Sequence, residues 1–191
     1  HMSVPIDDDD WSIGAVVGPS GSGKTTIARH LWPDHIDKQF DWNGSAVVDD
    51  FSDELGIEEI VNCCSAVGFN TIPAWLRPYS VLSNGERFRA LLARTLLCED
   101  DLVVMDEFTS VVDRQVAKIG SHAVQKYIRR GKKRFVAITC HDDVIDWLQP
   151  DWVIWPGNQV FERRSVQPRP RINITIEPTK REHWKTFCRF H

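Results

Sequence analysis

No apolar run in this sequence approaches the roughly 18–20 residues a helix needs to cross a bilayer, and no signal peptide opens it. Membrane insertion is not expected, and the chain reads as a cytoplasmic globular protein. Paired cysteines are missing as well. Cys63, Cys64, Cys98, Cys140 and Cys188 form neither a C-x-x-C motif nor a secreted disulfide spacing, so they are expected to be reduced core thiols. His183, Cys188 and His191 cluster near the end of the sequence without a fourth ligand, and zinc is not expected there. The sequence also has no internal repeat or low-complexity segment, which leaves an ordinary globular architecture.

Charge of one sign is not in excess. A net charge of −4 over 191 residues names no partner by itself, but the distribution is uneven. Asp7-Asp8-Asp9-Asp10 belongs to an acidic first third, whereas the tail carries Arg163, Arg164, Arg169, Arg171, Lys180, Arg181, Lys185 and Arg189 against few acids. That tail allows a nucleic-acid or other acidic partner, with a solvated basic face or an interdomain seam as the simpler alternative. At 42% hydrophobic, the chain buries one domain's core, or one domain plus a short appendage. Because His1 precedes Met2, residues 1–2 read as a cloning remnant outside the fold.

What the chain does have is a series of phosphate-handling motifs. Gly18-Pro19-Ser20-Gly21-Ser22-Gly23-Lys24-Thr25 satisfies G-x-x-x-x-G-K-[ST], a turn whose backbone N–H groups and following helix N-terminus cradle phosphate oxygens. Residues Gly18 to Thr26 are accordingly the expected nucleotide-binding stretch. Lys24 supplies a cation to the β- and γ-phosphates, and Thr25 offers a hydroxyl to Mg²⁺, a hard ion that prefers oxygen. Leu102-Val103-Val104-Met105-Asp106-Glu107 is an apolar strand ending in two carboxylates. Between these two motifs stands Leu82-Ser83-Asn84-Gly85-Glu86; after them come Ser110-Val111-Val112-Asp113 and, beyond a later strand, His141.

Taken in this order over residues 13–155, the motifs resemble those of ATP-binding-cassette (ABC) ATPases. The resemblance implies an α/β fold: a P-loop NTPase sandwich of ABC type, with a reduced N-terminal β-subdomain and a short helical insertion. It implies ATP and Mg²⁺ as ligands and hydrolysis as the activity. Asp106 completes the metal shell begun by Thr25, Glu107 polarises the attacking water, and His141 reaches the γ-phosphate region. Ser83, Asn84 and Gly85 cap the nucleotide of a second copy, so an ATP-dependent head-to-tail homodimer is implied, with Asp113 on the segment crossing its interface. Where the family has a glutamine, the chain offers Asp49-Asp50, with Gln39 too early; Asp49 is taken as the substitute metal-site residue. Trp11 reads as a hydrophobic anchor before the first strand rather than a base-stacking residue.

The pattern predicts strands over 13–17, 46–48, 102–105 and 135–139, with helices over 24–31, 85–97 and 113–130. Asp113 is the expected N-cap of the last and Gly131 its stop. Ile57 to Pro78 is the helical insertion, and Gln159 to Arg164 a hairpin strand. Residues 3–165 are thus the ATPase domain. Residues 166–191 form a tail whose strand Arg171–Ile176 and helix Glu182–Phe190 read as the start of a second domain. The strings from 81–89, 106–114 and 139–152 also resemble mobile-element and phage-type proteins in which an acetyltransferase-like domain follows the ATPase. Two functions stay open: a soluble cassette gating an attached or partner domain in a nucleic-acid transaction, and the motor subunit of a membrane transporter.

Overall fold

The computed structural model describes residues 4–6, 10–36 and 38–164. The expected tail strand and helix, and Cys188, lie outside the described residues. Five strands, β1 (Ile13–Val17), β2 (Leu102–Met105), β3 (Arg134–Thr139), β4 (Trp152–Trp155) and β5 (Val160–Arg163), form one sheet in the order β2-β3-β1-β4-β5. The first four run parallel, and β5 returns antiparallel on β4 as the predicted hairpin. Six helices are described: α1 (Lys24–Leu31), α2 (Ile57–Ala66), α3 (Ile72–Trp75), α4 (Asn84–Leu97), α5 (Arg114–Arg130) and α6 (Asp143–Leu148).

The strands are near-continuously apolar because both faces of the sheet are covered. Successive β3 residues make the point. Phe135 and Ala137 enter a core built with α2, α4 and α5, whereas Val136 and Ile138 enter one containing Trp11, Trp32 and Trp152. The second core fixes two residues. Trp11 is buried edge-on against Trp152, with centroids 5.2 Å apart, which makes it the anchor the sequence suggests. Gly14 lies under the same ring, and a Cβ there would stand 2.0 Å from Trp152. Only a residue without a side chain fits.

A polar knot closes the far end of the sheet. The carboxylate of Asp151 accepts from the backbone N–H groups of Ser12 and Ile13 at 2.8 and 3.0 Å, and from Arg129 Nη1 at 2.8 Å. Arg129 also donates to the Gln149 carbonyl at 2.8 Å. One aspartate therefore holds the start of β1, the start of β4 and the last turn of α5 together.

Three expectations need correction. Residues 46–48 are not a strand: Val47–Asp50 is a 3-10 turn. The reason is local competition, since Asp49 Oδ2 accepts from Ala46 N at 2.9 Å and Asp50 Oδ1 accepts from Asn43 N and Gly44 N at 2.9 and 2.8 Å. Side chains that bind their own backbone withdraw it from a sheet. The signature helix starts at Asn84, one residue earlier than expected, because Ser83 caps it. Finally, Cys63 and Cys64 are buried thiols, pushed up to about 12 and about 11 by that burial, but Cys140 is exposed. It follows the end of β3, where the chain turns outward.

Candidate nucleotide site

The site forms where β1 and β2 end. Val17 leads into the glycine loop, whose Gly18 N–H donates to the Thr139 carbonyl at 3.3 Å. Pro19, Ser20 and Gly21 are exposed, with Ser22 and Gly23 half-buried. Gly21 and Gly23 take φ values of 78° and 91°, with nothing within 4 Å of where a Cβ would stand. Glycine is required there by the backbone and not by crowding. Gly23 is the N-cap of α1, and no side chain caps that helix. Its first N–H groups thus lack a side-chain acceptor, which is the arrangement that receives an anion. Ser22 Oγ is buried without a hydrogen-bond partner among the described residues. Lys24 is buried, its ammonium folded back onto the Pro19 carbonyl at 2.9 Å. Thr26 is exposed on the same first turn.

The metal-type residues meet. Thr25 Oγ1 donates to Asp106 Oδ2 at 2.8 Å, and Glu107 N–H donates to Asp106 Oδ1 at 2.8 Å. A hydroxyl and a carboxylate are hard oxygen donors of the kind Mg²⁺ takes. An uncapped helix end, an orphaned hydroxyl, a buried ammonium and this oxygen pair together fit a magnesium–nucleotide complex.

After Asp106 the backbone is unusual. Glu107 and Thr109 have φ values of 51° and 67°. A β-branched residue in that region is an outlier, and such strain concentrates at functional sites. The segment is held by Phe108 N–H donating to the Ile138 carbonyl at 2.9 Å and Ser110 N–H to the Glu107 carbonyl at 3.0 Å. Glu107 is exposed and Thr109 buried. Thr109 was not singled out from sequence; a threonine within D-E-F-T-S carries no signal for its φ. His141 is half-buried, its N–H donating to Thr139 Oγ1 at 3.2 Å. Thr139 thereby ties both the glycine loop and the His141 turn to the end of β3.

Ser83, Asn84 and Gly85 open α4. Ser83 N–H and Oγ both donate to Glu86 Oε2, at 2.9 and 2.7 Å, while Ser83 Oγ accepts from Glu86 N–H at 3.4 Å. These bonds, the Ser83 backbone bond first, hold the Glu86 carboxyl below its ordinary value. Ser83 and Asn84 are exposed, so the helix N-terminus faces outward. Asp113 Oδ1 caps α5 by accepting from Gln115 and Val116 N–H at 2.9 and 3.0 Å, as predicted.

Asp49 does not join the others. It is exposed, its carboxylate serves its own turn, and no hydrogen bond among the described residues links it to Thr25 or Asp106. Gln39, set aside as too early, instead lines a cavity of about 260 Å³ that also reaches Asp106 along β2.

With this geometry in hand, the comparisons with known proteins are specific. No protein-family model matches the chain. The cytochrome c biogenesis ATP-binding export protein CcmA of Nitrosospira multiformis is 24% identical, over 68% of this chain and 78% of that protein. The probable ATP-dependent transporter SufC of Escherichia coli is 30% identical, over 37% of this chain and only 28% of that protein. Among solved structures, the dimeric bacterial ABC transporter cassette MJ0796 superposes with a TM-score of 0.62 at 16% identity, covering 81% of this chain and 87% of that one. Its post-hydrolysis dimer bound to ADP and Pi gives 0.61 at the same identity and coverage. The chain has the P-loop fold of an ABC cassette.

Proposed function

We propose that this chain is an ATPase that binds and hydrolyses Mg-ATP, with each complete site shared between two copies arranged head to tail. The observation that carries it is the 2.8 Å bond from Thr25 to Asp106, which brings the phosphate loop and the strand-end carboxylate into one oxygen site. When bound, Mg²⁺ supplies positive charge beside the terminal phosphates, with Thr25 and Asp106 as its protein partners. Lys24 exchanges the Pro19 carbonyl for phosphate oxygen, and the α1 N-terminus adds N–H donors. Glu107 polarises water, and His141 holds the γ-phosphate end of the site. Asp49 is the residue of the flanking segment proposed for the metal side, its carboxylate giving up the Ala46 N–H of its own turn to take that place. Phosphate release from Mg-ATP is the test: Lys24→Ala should bind ATP more weakly and lose turnover, and an active Lys24→Ala protein overturns the assignment.

In this proposal the hydrolysis gates an attached or partner domain in a nucleic-acid transaction, supported by the basic tail sequence and by Glu86, a glutamate that resembles the signature of soluble cassettes acting on DNA. The acetyltransferase-like fusion suggested by the motif strings is one form of it. A second reading, the motor subunit of a transporter, is favoured by the names of both relatives. It also draws on Ile72 and Leu76 on the helical insertion and Val81 just after it, which are 60%, 65% and 59% exposed. No helix among the described residues is long and apolar enough to cross a membrane. Turnover stimulated by nucleic acid supports the first reading; copurification with membrane subunits and no such stimulation supports the second.

A further inference from the structure

Between Lys126 and Arg134 the chain places six Lys and Arg residues and no acid, in a protein of net charge −4. Three of the six have structural work. Arg129 binds Asp151 and the Gln149 carbonyl, Arg134 lies over the Trp11 ring at 4.9 Å, and the Lys133 ammonium donates to the Cys98 carbonyl. Lys126, Arg130 and Lys132 are exposed and form no ion pair with any described residue. Arg130, in the last turn of α5, complements the negative end of the helix dipole; Lys126 and Lys132 are left without such a reason.

These cations are organised in two ways. Lys118, Lys126 and Arg130, with the imidazole of His122 between the first two, stand at four-residue steps along the exposed side of α5, a ridge with about 6 Å of rise per step. The ridge ends in a groove of about 740 Å³ lined by Lys126, Tyr127, Arg130, Lys132 and Lys133, with Asp101 as the acid on its wall. Four cations, Lys126, Arg130, Lys132 and Lys133, thus line the groove against one acid, while Glu59 is the carboxylate whose field reaches Tyr127. Tyr127 is half-buried there. The groove is remote from the nucleotide. Asp101 precedes β2 and Gly131 precedes β3, whereas the glycine loop, Asp106 and His141 follow the opposite strand ends.

We propose that this groove binds the backbone of a single-stranded nucleic acid, with Lys126, Arg130 and Lys132 on phosphates and Tyr127 against a base. A basic groove floored by an aromatic ring is how single strands are held without sequence readout. An anionic membrane fits less well, because the groove is concave and no large apolar side chain on its wall is exposed to enter a bilayer. The proposal rests on the nucleic-acid reading above and is independent of the hydrolysis chemistry. It adds the surface, which is on α5 and not the tail.

The test uses the 191-residue chain and labelled short DNA and RNA oligonucleotides of mixed sequence, followed by fluorescence anisotropy across a salt series. The parent should bind, and Lys126→Glu/Arg130→Glu/Lys132→Glu should weaken binding on the order of tenfold or more, with the log–log salt slope reduced by about 2. Phosphate release and thermal unfolding of the variant should match the parent, since none of the three touches the nucleotide site. Lys126→Gln/Lys132→Gln, a milder change, should fall between. Equal oligonucleotide binding by parent and triple variant overturns the groove while leaving the nucleic-acid reading standing through another surface. A parent that binds no oligonucleotide at low salt sinks both. Binding to vesicles of phosphatidylserine and phosphatidylcholine without oligonucleotide binding assigns the groove to lipid and overturns the proposal.

Discussion

At the scale of single residues, the two carboxylates that end β2 divide the labour. Asp106 is engaged through both oxygens, by Thr25 and by the Glu107 N–H, whereas Glu107 is exposed on a left-handed turn. Glu107→Gln keeps shape and polarity but removes the proposed base, so ATP affinity should persist while turnover falls on the order of a hundredfold or more. Equilibrium binding and phosphate release separate the two, and unchanged hydrolysis would remove Glu107 from its role. The same assays test Asp49: Asp49→Ala should slow turnover with ATP affinity kept, and unchanged turnover removes it from the metal side. Residues inside contiguous motifs were legible because covalent adjacency fixes their relative positions. The residue that completes the metal side is less legible, because it comes from another segment, where Asp49 bonds its own turn at Ala46. Gly14 was equally hidden. Nothing in Ile-Gly-Ala says that Trp152 will cover it, yet Gly14→Ala should destabilise the fold by about 1–3 kcal/mol or more, measured by denaturant titration.

At the scale of elements, capping decides what each helix end is for. Helix α1 has no side-chain cap and leaves its N–H groups to a ligand; α4 and α5 are capped by Ser83 and Asp113. The start of α4 also carries a pH dependence with a definite sign. Glu86 is held below its ordinary value by Ser83, so its stabilisation is complete above the unfolded-state value and is lost as pH falls through the depressed one. The melting temperature of Glu86→Gln should therefore drop less than the parent's between neutral pH and about pH 3, and parallel pH profiles would discount the capping box. Asp151 is the other element-scale hinge of the fold. Asp151→Ala unties β1, β4 and α5 at once and should cost about 2–3 kcal/mol, read by chemical unfolding. The strands and long helices were legible from their periodicity and from the Asp113 cap. Ala46-Val47-Val48 misled because its β-branched character was outweighed by two aspartates binding backbone N–H groups within a few residues, a local competition that propensity does not count.

At the scale of the whole molecule, the proposed function requires one copy to hold halves of two different sites. The glycine loop, Asp106 and His141 gather at one end of the sheet, while the α4 N-terminus, which the family resemblance assigns to phosphate capping, opens outward with Ser83 and Asn84 exposed. Ser83 already shares its hydroxyl and N–H with Glu86. The donors left for an incoming phosphate are then the first-turn N–H groups of Asn84 and Gly85, aimed along the positive end of the helix dipole. On the proposed function, a second copy in reversed orientation would supply those donors to a nucleotide held on the first copy's glycine loop. Dimerisation should accordingly require ATP and last longest where hydrolysis is blocked. Light scattering of Glu107→Gln should report a dimer with Mg-ATP and a monomer without it. Adding Ser83→Arg should abolish that dimer by putting bulk at the capping position, with the affinity of the single copy for ATP nearly unchanged because Ser83 is not part of its own glycine loop. A Glu107→Gln protein that stays monomeric at saturating Mg-ATP, or a Ser83→Arg protein that dimerises normally, contradicts the shared site and confines the chemistry to one chain.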